Sequence, residues 1–126
     1  MEKQELKEKL QPYFYSIEEM VTALNEAREK DNEEALEEAE RVIQEDPLSI
    51  QVRSGWQDIG EPLEPSEYEI LLCWGGPAVR IVGELNEYHE PETANIEFQD
   101  WGISWEGCYF DDDILLQYAR QFYFGE

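Results

Sequence analysis

The stretch EYEILLCWGGPAVRIVGEL, residues 67–85, consists of two apolar segments on either side of a Gly-Gly-Pro turn. Apolar and other side chains alternate in both segments, a period of two that is typical of strands. The first segment places Tyr68, Ile70, Leu72 and Trp74 on one face; the second places Val79, Ile81 and Leu85 on one face and Arg80, Val82 and Glu84 on the other. The turn is one that needs a positive φ, so the stretch predicts a β-hairpin.

The same period predicts one further strand on each side of this hairpin. Ile50 and Val52, with Trp56 as a possible continuation, alternate with polar residues, and Ile96 and Phe98 do so in ANIEFQDW. The segment DIGEPLEPSE, residues 58–67, contains two prolines and is predicted as a loop. All connections are too short for crossover helices, so the four strands are predicted to form a mostly antiparallel sheet.

Helical periodicity precedes and follows the strands. A first helix is predicted to break near Pro12 and to restart at Ser16, where Glu19 completes a capping box. A second helix is predicted from Asp31, capped with Glu34, to Asp46-Pro47. A last helix is predicted from the apolar face formed by Ile114, Leu115, Tyr118, Ala119 and Phe122.

These elements predict an α+β fold in the order α-α-β-β-β-β-α, with helices packed on the four-stranded sheet. A length of 126 residues with 41% hydrophobic residues fits one domain, 1–126. Within it we expect a helical region at 1–46, a sheet at 47–110 and a C-terminal helix at 111–124.

The charge of the chain is strongly unbalanced. Thirty-one acidic residues face nine basic ones, for a formal net charge of -22, and only Arg53, Arg80 and Arg120 are basic in residues 47–126. Such a surface repels nucleic acid and anionic membranes, whereas it attracts basic protein surfaces. We therefore expect a basic protein partner and no direct contact with nucleic acid or membrane.

No motif in the sequence selects a reaction. The single histidine, His89, lies in the polar loop NEYHEPET, and Cys73 and Cys108 have no metal-binding spacing. Asp111, Asp112 and Asp113 are explained by capping and by the dipole of the last helix. We therefore predict no catalytic residue, cofactor or metal site, and a protein that is not an enzyme. We also expect a cytoplasmic protein, since the N-terminus is charged and no apolar run could span a membrane.

The segment DNEEALEEAERVIQED, residues 31–46, contains eight carboxylates and one arginine. Like-charge pairs four residues apart on a helix, such as Glu33 with Glu37, each destabilise it by about 0.2–0.5 kcal/mol. Carboxylates at this spacing lie about 6 Å apart along the helix axis. Phosphates along a DNA strand have a similar separation, so the helix can imitate a polyanion, with a basic partner relieving the repulsion.

In charge, size and α+β pattern the chain resembles the anti-CRISPR and anti-restriction DNA mimics, small acidic inhibitors that phages and conjugative elements use against bacterial immunity. WGGPAVRIVGEL, residues 74–85, and QDWG, residues 99–102, are also similar to segments of mobile-element proteins. The resemblance implies an inhibitor in the host bacterial cell that occupies the DNA-binding, motif-reading cleft of a CRISPR nuclease or effector complex.

Two contact surfaces are proposed: a helix face of Glu33, Glu34, Glu37 and Glu38, and a sheet and loop group of Glu84, Glu87, Glu90, Glu92, Glu97 and Asp100. Tyr88 or Trp101 could add an apolar anchor to them, although Trp101, Trp105 and Tyr109 are more typical of a core.

Three other readings remain open at this point. An immunity protein or antitoxin could use the same carboxylates to plug a basic nuclease toxin. A general acidic protein-interaction module would need no mimicry. An enzyme with a carboxylate pair would require a deep pocket that holds two acids with raised pKa values.

Overall fold

The computed structural model describes residues 2–100 and 104–124 of the chain. Three helices and five strands follow one another in the order α-α-β-β-β-β-β-α. The helices are α1 (Lys3–Glu29), α2 (Glu33–Glu45) and α3 (Asp112–Ala119). The strands are β1 (Ser49–Ser54), β2 (Pro65–Cys73), β3 (Ala78–Glu84), β4 (Asn95–Gln99) and β5 (Glu106–Cys108). The predicted α+β class is confirmed.

The five strands form one antiparallel sheet in the spatial order β1-β2-β3-β4-β5. The predicted number of four strands was wrong, because β5 adds three residues at the edge beyond β4. The segment Glu106–Cys108 contains a glycine and too few residues for an alternation to be visible. The hairpin of residues 67–85 is present as β2 and β3, and Gly75 adopts the positive φ that the turn needs, at 128°.

The helices cover one face of the sheet, where the alternating apolar side chains meet them. Tyr68, Ile70, Val79, Ile81, Ile96 and Phe98 are buried from the sheet, and Leu10, Phe14, Ile17, Val21 and Leu24 are buried from α1. The rings of Phe14 and Phe110 stack with their centroids 4.8 Å apart. Burial of these side chains is the main source of stability, at about 1.5–3 kcal/mol for each large one.

The predicted break at Pro12 was wrong, since α1 runs without interruption from Lys3 to Glu29. Pro12 deprives the carbonyl of Glu8 of its helical hydrogen bond, but its ring lies on an exposed side of the helix. Leu6, Leu10, Phe14 and Ile17 form a continuous buried stripe on the other side. Packing of this stripe outweighs the local cost of the proline, so the capping box at Ser16 is not used.

Four element boundaries also differ from prediction. Asn32, not Asp31, caps α2, because its side-chain oxygen accepts a hydrogen bond from the amide of Ala35 at 3.2 Å. Pro65 begins β2, which shortens the predicted loop, and a proline is tolerated at the first residue of a strand. Trp56 lies beyond the end of β1 and is fully exposed. The last helix ends at Ala119 instead of 124, although Phe122 and Phe124 still pack on the core.

Candidate functional site

The α2 face, defined as Glu33, Glu34, Glu37 and Glu38, is exposed along its whole length. Arg41 contacts Glu38 at 2.5 Å and Glu45 at 3.3 Å, so one carboxylate of the face already has a cation. This ion pair lowers the pKa of Glu38. The α2 face is therefore acidic but partly compensated from within its own helix.

The six residues of the sheet and loop group do not lie together. Glu84 ends β3, and Glu87, Glu90 and Glu92 follow it in the exposed β3–β4 connection. Glu97 lies within β4 and binds Arg80, whereas Asp100 follows the other end of β4. The structure thus brings together four of the six residues.

Strand order adds further carboxylates to those four. In an antiparallel meander, alternate connections emerge at the same end of the sheet, so the β1–β2 and β3–β4 connections are neighbours. His89 bridges them, with its Nε2 atom 3.1 Å from a carboxylate oxygen of Glu64. We name this region the acidic end and define it by its eight carboxylates: Asp58, Glu61, Glu64, Glu67, Glu84, Glu87, Glu90 and Glu92.

Sequence reasoning missed the contribution of Asp58, Glu61, Glu64 and Glu67. The predicted sheet is mostly antiparallel with no stated strand order, so it does not specify which connections lie side by side. The two prolines of residues 58–67 predict a loop but do not indicate its neighbour. The order of strands, more than the identity of any residue, determines this site.

Repulsion is built into the acidic end. Glu67 and Glu84 lie directly opposite one another on β2 and β3, where side chains are about 5 Å apart at Cβ. Arg53 forms an ion pair with Glu67 at 2.7 Å, on the side away from Glu84. Within the residues that the structure describes, Glu84, Glu87, Glu90 and Glu92 have no ion-pair partner. Repulsion between these like charges lowers the free energy of unfolding. Folding stability therefore does not explain why the carboxylates are grouped here.

The β3–β4 connection holds its carboxylates on a defined backbone. The side-chain oxygen of Asn86 accepts hydrogen bonds from the amides of Tyr88 and Glu90, at 2.8 and 3.0 Å. The amide of Glu92 donates to the carbonyl of Glu84 at 2.8 Å, and Arg120 donates to the carbonyl of Pro91 at 3.1 Å. These bonds fix the positions from which Glu87, Glu90 and Glu92 extend into solvent.

Gly83 anchors the same connection from inside the sheet. A Cβ atom at this position would collide with the backbone carbonyl of Thr93 and crowd the ring of Tyr68. The hydroxyl of Tyr68 donates to that Thr93 carbonyl at 2.6 Å. The close approach therefore requires glycine, and it ties the loop to the buried core.

The sheet face opposite the helices is concave and centred on Arg80. Its guanidinium donates to Glu69 at 2.7 Å and to Glu97 at 2.9 Å, and it lies 4.1 Å from the centroid of the Trp105 ring. The concavity has a volume of about 480 Å³ and is also lined by Arg53, Val82 and Asn95. Both carboxylates face one cation here, so this arrangement is an ion-pair clamp.

Other chemistry-bearing residues have structural explanations. The side chain of Asp111 caps α3 by accepting a hydrogen bond from the amide of Asp113 at 3.0 Å. The Cys73 sulfur and the hydroxyl of Tyr13 form a hydrogen bond at 3.4 Å. Within residues 2–100 and 104–124, no group of three or more His, Cys, Asp or Glu residues could hold a metal ion. No helix in that part of the chain is both long and apolar enough to cross a bilayer.

Exposed apolar side chains accompany the acidic end. Tyr88 is 74% exposed in the β3–β4 connection, and Trp56, Ile59 and Leu63 are exposed in the β1–β2 connection. Of the other aromatic residues considered from sequence, Trp105 packs on Arg80, Tyr109 is exposed instead of core, and Trp101 lies outside the described residues. The acidic end thus combines charge with apolar groups of the kind that anchor protein interfaces.

Comparisons with known proteins return no match: no family model, no curated protein and no solved structure is similar to this chain.

Proposed function

We propose that this protein is a stoichiometric inhibitor that imitates DNA and occupies the cationic DNA-binding cleft of a nuclease or effector complex of bacterial immunity. The observation that carries the proposal is the acidic end, where eight carboxylates from two separate segments meet at one end of the sheet. A groove that evolved to bind phosphates with arginine and lysine would accept this surface in the same way. Release of counterions from the partner would drive binding, as it drives DNA binding.

Rigidity of the surface supports this function over general solubility. A disordered acidic segment would lose conformational entropy on binding, whereas the β3–β4 connection is already fixed by the hydrogen bonds of Asn86 and Glu92. The opposed pair of Glu67 and Glu84 places two charges on adjacent strands, about 5 Å apart. Tyr88 extends from the same connection and supplies an apolar contact within the charge.

The acidic end is a better contact surface than the α2 face for two reasons. Arg41 neutralises part of α2, and the acids of the α2 face lie within six positions on the exposed side of a single helix, a common arrangement on soluble proteins. The acidic end instead gathers carboxylates that are up to 34 positions apart, from Asp58 to Glu92. Both surfaces can be tested with matched variants.

The test is affinity capture from a bacterial lysate at low salt with three immobilised proteins. These are the wild type, a variant with Glu84, Glu87, Glu90 and Glu92 changed to Gln, and a control with Glu33, Glu34, Glu37 and Glu38 changed to Gln. Each variant loses four negative charges at exposed positions, and the control additionally loses the ion pair between Glu38 and Arg41. We expect the wild type and the control to retain a basic DNA-binding protein that duplex DNA elutes, and the acidic-end variant to lose it. Equal capture by all three proteins, or capture that DNA does not reverse, would contradict the proposal.

A further inference from the structure

Strand β1 is an unprotected edge of the sheet. Among residues 2–100 and 104–124, it pairs with β2 on one side only, and no strand pairs with the backbone donors and acceptors on its other side. Its contacts with the described helices are few, so the apolar side chains on its helix-side face stay partly exposed: 39% for Ile50 and 36% for Val52, with Leu48 at 62% just before the strand. β1 contains no lysine, proline or inward charge of the kind that protects edge strands, and its one register shift, between Arg53 and Ser54, lies at its last residue, so the edge is regular from Ser49 to Arg53.

Charge also sets this edge apart from the rest of the surface. Residues 47–57 contain no acid and one base, Arg53, in a chain of net charge -22. The longer acid-free stretches at 70–83 and 114–125 belong largely to buried strands and to α3, whereas β1 is exposed. This exposed segment contains an arginine and no carboxylate, so it does not attract a cationic partner. It suits a second copy of itself.

We infer that β1 pairs antiparallel with β1 of a second copy, which joins two sheets into one continuous sheet of ten strands. We infer a twofold axis perpendicular to the sheet, which keeps the helices of both copies on the same face. Because side chains alternate between faces, such a pairing centres on a residue and not between two residues. Centring on Gln51 places Ile50 of one copy opposite Val52 of the other, and Ser49 opposite Arg53. Other centres leave Ile50 or Val52 opposite a polar residue or its own copy, with fewer paired positions.

The Gln51-centred register fits both faces of the joined sheet. On the helix side, the row runs Tyr68, Val52, then Ile50 and Ile70 of the second copy, so the two cores become continuous. On the other face, the two Glu69 side chains are separated by three strand spacings, about 14 Å, which exceeds the Debye length of about 8 Å at physiological salt. No acid lies opposite an acid anywhere along 46–56. The twofold axis also directs the two acidic ends to opposite ends of the joined sheet.

Salt dependence distinguishes this interface from the one proposed for the acidic end. Two chains of charge -22 repel one another, so dimerisation should strengthen as salt rises from about 0.1 M to about 1 M, while binding to a cationic partner should weaken. The dimer does not depend on the proposed function, and either can fail without the other.

The test uses the full chain in analytical ultracentrifugation at both salt concentrations, with folding checked by circular dichroism. We expect the wild type to be dimeric, and increasingly so at the higher salt. Ile50→Glu and Val52→Lys each change an exposed position, and each should be monomeric because a charge then faces an apolar side chain. Val42→Lys, on α2 and 42% exposed, is the matched control and should remain dimeric.

Mixing the two monomeric variants tests the register itself. In a mixed pair, the introduced glutamate lies opposite the introduced lysine, and the remaining Val52 lies opposite the remaining Ile50. We expect an equimolar mixture of folded Ile50→Glu and Val52→Lys chains to form a dimer. A wild type that stays monomeric at about 1 M salt, single variants that remain dimeric, or a mixture that does not associate would each overturn the inference.

Discussion

At the scale of single residues, the buried polar side-chain atoms in the described part of the chain all have partners. No buried side-chain nitrogen or oxygen atom in the described residues is without a hydrogen bond. Arg80 binds two carboxylates, Tyr118 donates to Asp46 at 2.6 Å, and Tyr68 donates to Thr93. The uncompensated carboxylates are on the surface, where repulsion costs least and a partner can reach them.

Replacing Arg80 with methionine should remove the clamp on the open sheet face. Glu69 and Glu97, whose side chains are 27% and 22% exposed, would then face one another without a cation. We expect the free energy of unfolding to fall by about 2 kcal/mol, measured by urea denaturation. Arg53→Met is the matched control: its ion pair is more exposed, at 77% for Arg53, so the loss should stay below about 1 kcal/mol. Equal losses in the two variants would contradict this explanation of the clamp.

Three tyrosines should make the protein sensitive to alkali. The hydrogen bond with Cys73, together with burial, raises the pKa of Tyr13 to about 12, and burial raises the pKa of Tyr68 and of Tyr118 above the ordinary value of 10.0. Since the unfolded chain loses these protons first, their contribution to stability is complete below pH 10 and is lost as the pH rises through the folded-state pKa.

We therefore expect the free energy of unfolding to fall between about pH 10 and 12, by at most about 1.4 kcal/mol per pH unit for each tyrosine. Tyr118→Phe should make this fall shallower, whereas Tyr123→Phe, at an 80% exposed position, should not. Chemical denaturation at a series of pH values measures the slope. A free energy that stays level to pH 12 would show that the tyrosines titrate alike in both states.

At the scale of helices and strands, periodicity predicted most of the fold, and the exceptions have identifiable causes. The alternation in residues 67–85 and 95–99 predicted three strands correctly, because apolar residues that face a core must repeat with the period of the backbone. β5 is too short to show a period. The break at Pro12 was predicted from a local rule, while the long buried stripe of α1, a tertiary effect, decided the outcome.

Pro12→Ala should stabilise the protein if this explanation of α1 is correct. The substitution restores a backbone amide that can donate to the carbonyl of Glu8, and it removes a steric clash from an exposed side of the helix. We expect a gain of about 1–3 kcal/mol, seen as a higher midpoint in thermal denaturation followed by circular dichroism. An unchanged or lower midpoint would mean that the proline bends α1 into a curvature on which its packing depends.

At the scale of the whole molecule, the strand order gathers acidic residues that are distant in sequence at one end of the sheet. Composition predicted a cationic partner, and the sequence placed Glu84, Glu87, Glu90, Glu92, Glu97 and Asp100 in one candidate contact group. The strand order brings Asp58, Glu61, Glu64 and Glu67 to the same end of the sheet and separates Asp100 from it. Such groupings depend on which connections lie at the same end of the sheet. The order in which the strands pair determines this.

The measurement that most directly tests the acidic end as an imitation of DNA is displacement of a fluorescently labelled duplex from the captured partner, followed by anisotropy at several salt concentrations. The account predicts that the wild type displaces the duplex completely and that its apparent affinity falls linearly with the logarithm of salt concentration. The variant with Glu84, Glu87, Glu90 and Glu92 changed to Gln should bind more weakly and with a shallower salt dependence. A partner that holds the duplex and this protein at the same time, with anisotropy unchanged at saturation, would contradict the account.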